Sequence, residues 1–159
     1  QRINCGSSPA GWSQGYRSLK FYPNPNEYSE YNRNQSNDVP IFRFADIVLT
    51  KAEALLRGAR ATNADTPESL LNQIRAYVHA AKFVGTPKLQ DILDERGREF
   101  VDENWRRNDM IRFGTFESEY GFHLKGFPGA RFDKSCRILP VPKAIMDENQ
   151  NWEQNEGYK

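Results

Sequence analysis

The sequence predicts a mainly α-helical protein: helix hairpins packed with long irregular loops. Three observations carry that expectation. Apolar residues recur at helical spacing in three stretches between residues 44 and 113. Threonine–proline pairs at Thr66-Pro67 and Thr86-Pro87 mark two helix starts. Turn-forming Gly, Pro, Asn and Ser crowd residues 1–40 and the stretch after Gly114, where they break regular elements.

In chain order, residues 1–40 form a loop-rich lead-in with interleaved rings at Trp12, Tyr16, Phe21, Tyr22, Tyr28 and Tyr31. A short strand is expected around Leu19–Tyr22. These rings either pin an irregular segment to a helical body or offer stacking faces to a sugar. Trp12 and Tyr16 are the candidates for the second role, because aromatic faces stack on sugar C–H faces. The first reading is preferred, since Tyr and Trp bury well with one polar end exposed.

Residues 41–114 form the helical core. A first helix is expected over Phe44–Arg57, with Phe44, Ile47, Val48, Ala52 and Leu55 in helical phase. Ala45, Leu49 and Leu56 widen that stripe, which implies contact with more than one neighbouring element. Gly58 suits a C-terminal cap. A second helix begins at Thr66-Pro67-Glu68, with Leu70, Leu71, Ile74, Tyr77, Val78 and Ala81 as its apolar face. The two make an antiparallel hairpin. Its loop, Gly58–Asp65, is slightly long for a tetratricopeptide repeat, yet helix pairs of this size stack into solenoids. A third helix starts at Thr86-Pro87-Lys88 and runs to about Asn104. A kinked continuation from Trp105 to Phe113 stops at Gly114. Residues 115–159 are a loop-rich tail with an extended segment at Arg137–Val141 and a small helix near Ala144–Asp147.

Charge on the third helix is unusual. Leu89, Ile92, Leu93 and Phe100 share a face, and Arg96 and Glu103 fall inside the same arc, with Glu99 at its edge. Charges there are costly unless paired. Arg96 with Glu99, Glu99 with Glu103, and Glu103 with Arg107 have the spacings of helix-surface neighbours. The expected outcome is a partly buried ion network that fixes how this helix meets the others. The rival reading makes Glu99 and Glu103 the carboxylate pair of a glycoside hydrolase. Such a pair needs a cleft and distinct environments for its two members. Glutamates one turn apart among several arginines are expected to stay ionised together. No catalytic residue is therefore assigned.

Other classes fare worse. The chain has 159 residues and a net charge of +1, with no basic stripe to receive nucleic acid. It has no apolar run of membrane-spanning length and no signal-peptide pattern, and it reads from Gln1 as a piece of a larger protein. Cys5 and Cys136 fit no zinc spacing, and whether they pair stays open. His79 and His123 lack neighbouring ligands, so no metal is expected. With no phosphate-binding loop, dinucleotide fingerprint or Gly-x-Ser-x-Gly elbow, no cofactor is expected either.

Three stretches together resemble the SusD/RagB family of nutrient-binding lipoproteins. The first is Asn37-Asp38-Val39-Pro40-Ile41-Phe42-Arg43-Phe44-Ala45-Asp46 with Ala52-Glu53-Ala54-Leu55. The second runs from Ile92-Leu93-Asp94-Glu95-Arg96 and Glu99-Phe100 through Glu103, Arg106-Arg107 and Asp109-Met110-Ile111-Arg112-Phe113-Gly114. The third is Leu139-Pro140-Val141-Pro142, then Asn149 and Gln154-Asn155-Glu156-Gly157-Tyr158. Their order and spacing over about 120 residues make the resemblance specific. Asn104 stands where the family usually has Gly, and Gln150 and Glu156 stand where it usually has Pro.

The resemblance implies the C-terminal part of a fold with tetratricopeptide-like helix pairs. It implies a surface lipoprotein of the outer membrane in a Bacteroidetes-type bacterium. A SusC-type TonB-dependent transporter would be its partner, an oligosaccharide its ligand, and the remainder of a parent chain its neighbour. It implies that Arg43, Glu53, Glu95, Arg96, Glu99, Asp109 and Arg112 hold helices together, with Glu103 joining the same ion network. A helical scaffold that binds a protein and no sugar is the second reading. If the 159 residues stand alone, the wide stripe over Phe44–Leu56 should drive self-association or leave an apolar patch exposed.

Overall fold

A computed structural model describes residues 20–21, 38–117 and 134–158. Among the described residues it contains five α-helices, a short 3-10 turn and no strand. The helices are α1 (Phe44–Leu56), α2 (Pro67–Tyr77), α3 (Leu89–Glu99), α4 (Trp105–Phe113) and α5 (Lys143–Glu148), with the 3-10 turn at Lys134–Arg137 before α5. Backbone contacts divide the chain into two units, Gln1–Ile41 and Phe42–Lys159, and all of these helices lie in the second.

Each helix end has a local cause. Arg43 precedes α1 in an extended conformation. Chain direction reverses after Arg57, where Gly58 takes φ 95°, a left-handed value that costs glycine little. At the start of α2 the Thr66 hydroxyl accepts from the Ser69 amide at 3.0 Å, and the Ser69 hydroxyl accepts from the Thr66 amide at 2.9 Å. Pro67 fills the first position, where a missing N–H leaves nothing unsatisfied. After α2, the Asn72 side chain accepts from the Phe83 amide at 2.8 Å and donates to its carbonyl at 3.1 Å, folding residues 81–84 back over the helix.

The core is the meeting of α1, α2 and α3. Val48, Leu49 and Ala52 from α1 pack with Leu70, Leu71 and Ile74 from α2 and with Ile92 from α3, all buried. Burying a side chain such as Leu49 or Ile92 contributes roughly 1.5–3 kcal/mol. Phe100 closes this core, and Trp105 and Phe113 from α4 flank it.

Several expectations are corrected here. The third helix stops at Glu99, not near Asn104. Asp102 and Asn104 take φ of 65° and 62°, left-handed values that a continuing helix cannot contain. Asn is among the residues that tolerate that region, which accounts for its use where the resembling family has Gly. The third helix also begins at Leu89, later than the Thr86-Pro87 signal suggests. There the Asp91 carboxylate accepts from the Lys88 amide at 2.7 Å, so the acidic third residue supplies the start. α2 ends at Tyr77, so Val78 and Ala81 lie beyond it and are exposed. The strand expected at Leu19–Tyr22 is a turn at Lys20 and Phe21, the two of those residues described. The extended segment at 137–141 starts instead inside the 3-10 turn. Trp12, Tyr16, Cys5 and His123 lie outside the described residues.

The wide stripe of α1 is only partly covered. Its inner residues are buried, whereas Phe44 is 70% and Ile47 60% exposed, beside Tyr77 of α2 at 85%. Phe44, Ala45, Ile74 and Tyr77 line a groove of about 560 Å³, bordered by Arg43, Gln73 and Glu99. Among the described residues, no helix is long and apolar enough to cross a membrane.

Candidate functional site: the ion lattice joining α1, α3 and α4

Glu95 and Arg96 of α3 and Asp109 of α4 point inward because the apolar residues around them do. Arg96 follows Ile92 and Leu93 on the buried side of its helix, so its guanidinium enters the protein. It is 2% exposed, and so is Asp109 of α4. Arg96 Nε donates to Asp109 Oδ2 at 2.8 Å, and its Nη1 donates to Asp46 Oδ1 of α1 at 2.7 Å. One planar cation therefore ties three helices together. Its central carbon lies over the Phe100 ring at 4.9 Å and the Trp105 ring at 5.6 Å. A guanidinium suits this position because it is weakly hydrated, stacks on rings and offers donors in fixed directions.

Arg43 performs a similar task at the start of α1. Its Nε donates to both Glu103 oxygens at 3.0 and 2.9 Å, and its Nη1 pairs with Glu99 Oε1 at 2.7 Å. Its Nη2 donates to the Glu99 carbonyl at 2.7 Å, and the group lies 4.8 Å above the Phe100 ring. Burial alone would lower the Arg43 pKa. The hydrogen bonds and charges of Glu103 and Glu99 outweigh it and hold the group above its ordinary value.

A third cluster centres on Glu53 of α1, which is buried. Arg57 Nε donates to its Oε1 at 2.8 Å, and Arg112 of α4 bonds the same oxygen. Arg112 also reaches Asp109 Oδ1 at 3.0 Å, which joins this cluster to Arg96. Both arginines lie over the Phe113 ring, at 5.1 and 4.8 Å. Burial raises the Glu53 pKa, but Arg112 and Arg57 together overcome it, and the carboxyl sits below the usual glutamate value. Its other oxygen, Oε2, is buried with no hydrogen-bond partner among the described residues.

Glu95 is buried on the α2 side of α3. It accepts from Arg75 Nη1 of α2 at 3.0 Å and from Arg98 Nη2 at 2.7 Å. All eight residues expected in the network thus carry ion pairs, through Arg43, Arg96 and Arg112 to their acids and through Arg75 to Glu95.

The expected pairing is nevertheless corrected. The neighbour rule joins Arg96 to Glu99 and Glu103 to Arg107. The helix ends at Glu99, and the turn that follows swings Glu103 towards Arg43, which lies 60 residues earlier in the chain. Arg96 takes its acids from α1 and α4. Arg107 instead donates to the carbonyls of Cys136 and Arg137 at 2.8 and 2.6 Å, holding the tail against α4.

Some structural roles escaped sequence reasoning. Gly97 sits within α3, where glycine costs about 1 kcal/mol relative to alanine. A Cβ there would lie 2.8 Å from Arg106 Nη1, which crosses the helix to donate to the Leu93 carbonyl at 2.9 Å. Gln154 accepts from the Val141 amide at 2.8 Å and donates to its carbonyl at 2.9 Å, so one side chain imitates a paired strand. Asn155 adds a bond to the Leu139 carbonyl at 2.8 Å. The Asp46–Arg96 link had a sequence signal, an acid in the first turn of α1, but nothing that named its partner.

Chemically, this lattice binds carboxylates to guanidiniums. The Glu103 side chain keeps 1% of its surface, which leaves no room for a sugar ring between it and Glu99. Glu99 does border the α1–α2 groove, but with its carboxylate held by Arg43. Among the described residues, no cluster of His, Cys, Asp and Glu could hold a metal ion.

The model of the SusD family matches residues 6–158. The starch-binding protein SusD of Bacteroides thetaiotaomicron is 34% identical over 155 residues, covering 94% of this chain and 27% of that protein. The chain thus spans about a quarter of the length of this relative.

Proposed function

The chain belongs to the SusD family, and we propose on that basis that it serves as the C-terminal, helix-bearing part of a non-enzymatic glycan-binding subunit in nutrient import. The observation that carries this reading is the 34% identity, spread over 94% of the chain, to a protein named for starch binding. The lattice supports it from the chemical side. Glu99 and Glu103, the best carboxylate pair for hydrolysis, are engaged by Arg43. They act as struts between helices and carry out no turnover. In this reading the parent protein sits at the outer-membrane surface as a lipoprotein and passes an oligosaccharide to a SusC-type transporter. The parts that face the sugar and the transporter include chain outside these 159 residues, with Trp12 and Tyr16 as stacking candidates within them.

Titration calorimetry of the longer protein with a panel of oligosaccharides, starch fragments included, tests this. Saturable binding with no release of reducing ends is expected. Hydrolysis of any panel member would refute the non-enzymatic reading. Capture of a large outer-membrane transporter with no affinity for any glycan would replace it with the scaffold reading.

A further inference from the structure

We draw no further inference here: the strongest candidate, the apolar groove between α1 and α2 lined by Phe44, Ile74 and Tyr77, is an unpartnered face, and nothing in the structure shows what covers it.

Discussion

Arg96 and Arg98 stand two residues apart on α3, and they do opposite things. Arg96 is 2% exposed and bonds carboxylates on two other helices, while Arg98 is 59% exposed and reaches one turn back to Glu95 on its own helix. The chemical group is the same; the dielectric surroundings and the span of the contact differ. A surface pair gains little, because water already solvates both charges and the side chains lose freedom. A buried pair is no bargain when compared with packed apolar residues, but breaking it strands a charge. The buried arginine is thus hard to remove for a reason that the exposed one lacks. It also decides which helices meet.

Several substitutions would sharpen or break that contrast. Arg96→Met should have the largest effect. Asp46 loses its arginine partner and Asp109 keeps only Arg112, both in buried surroundings, so stability should fall by about 3–5 kcal/mol in urea unfolding. Glu103→Gln comes next. It weakens two charge-assisted bonds from Arg43, and a loss of about 1.5–3 kcal/mol is expected, with the helical circular dichroism signal kept. If these glutamates were instead catalytic, the variant would be as stable as its parent and would lose an activity. Arg98→Ala should change stability by no more than about 0.5 kcal/mol, since its partner Glu95 keeps Arg75.

Acid should act on the buried side of the same contrast. The Glu53 carboxyl titrates below its unfolded value, so the stability it contributes is present above the unfolded pKa of about 4.3. That contribution is lost as pH falls through the lower, folded value. Melting temperatures between pH 7 and pH 3 should therefore drop less steeply for Glu53→Gln, which starts from a lower plateau, than for the unsubstituted chain.

The helices themselves were legible, because they obey local rules. Thr66 and Pro67 start α2, Gly114 ends α4 at φ 73°, and the apolar period locates the buried face of α3; on α1 it finds Val48 and Ala52 but also takes in Phe44 and Ile47, which are exposed. Sequence also marked Arg96 and Glu103 as charges on an apolar arc. What it could not supply was their partners. The neighbour rule assumes that the helix continues, and a turn built on Asp102 and Asn104 ends it. Once it ends, pairing is set by tertiary packing, and Arg43 reaches Glu103 across 60 residues. Gly97 was illegible for the same reason: the close approach that demands it comes from Arg106, on another helix.

The claim that the acids of this segment brace helices is tested most directly by a double-mutant cycle between Arg43 and Glu103, read by urea unfolding of Arg43→Met, Glu103→Gln and the combined variant. A coupling energy between about 0.5 and 3 kcal/mol is predicted. Additivity within about 0.3 kcal/mol would contradict it.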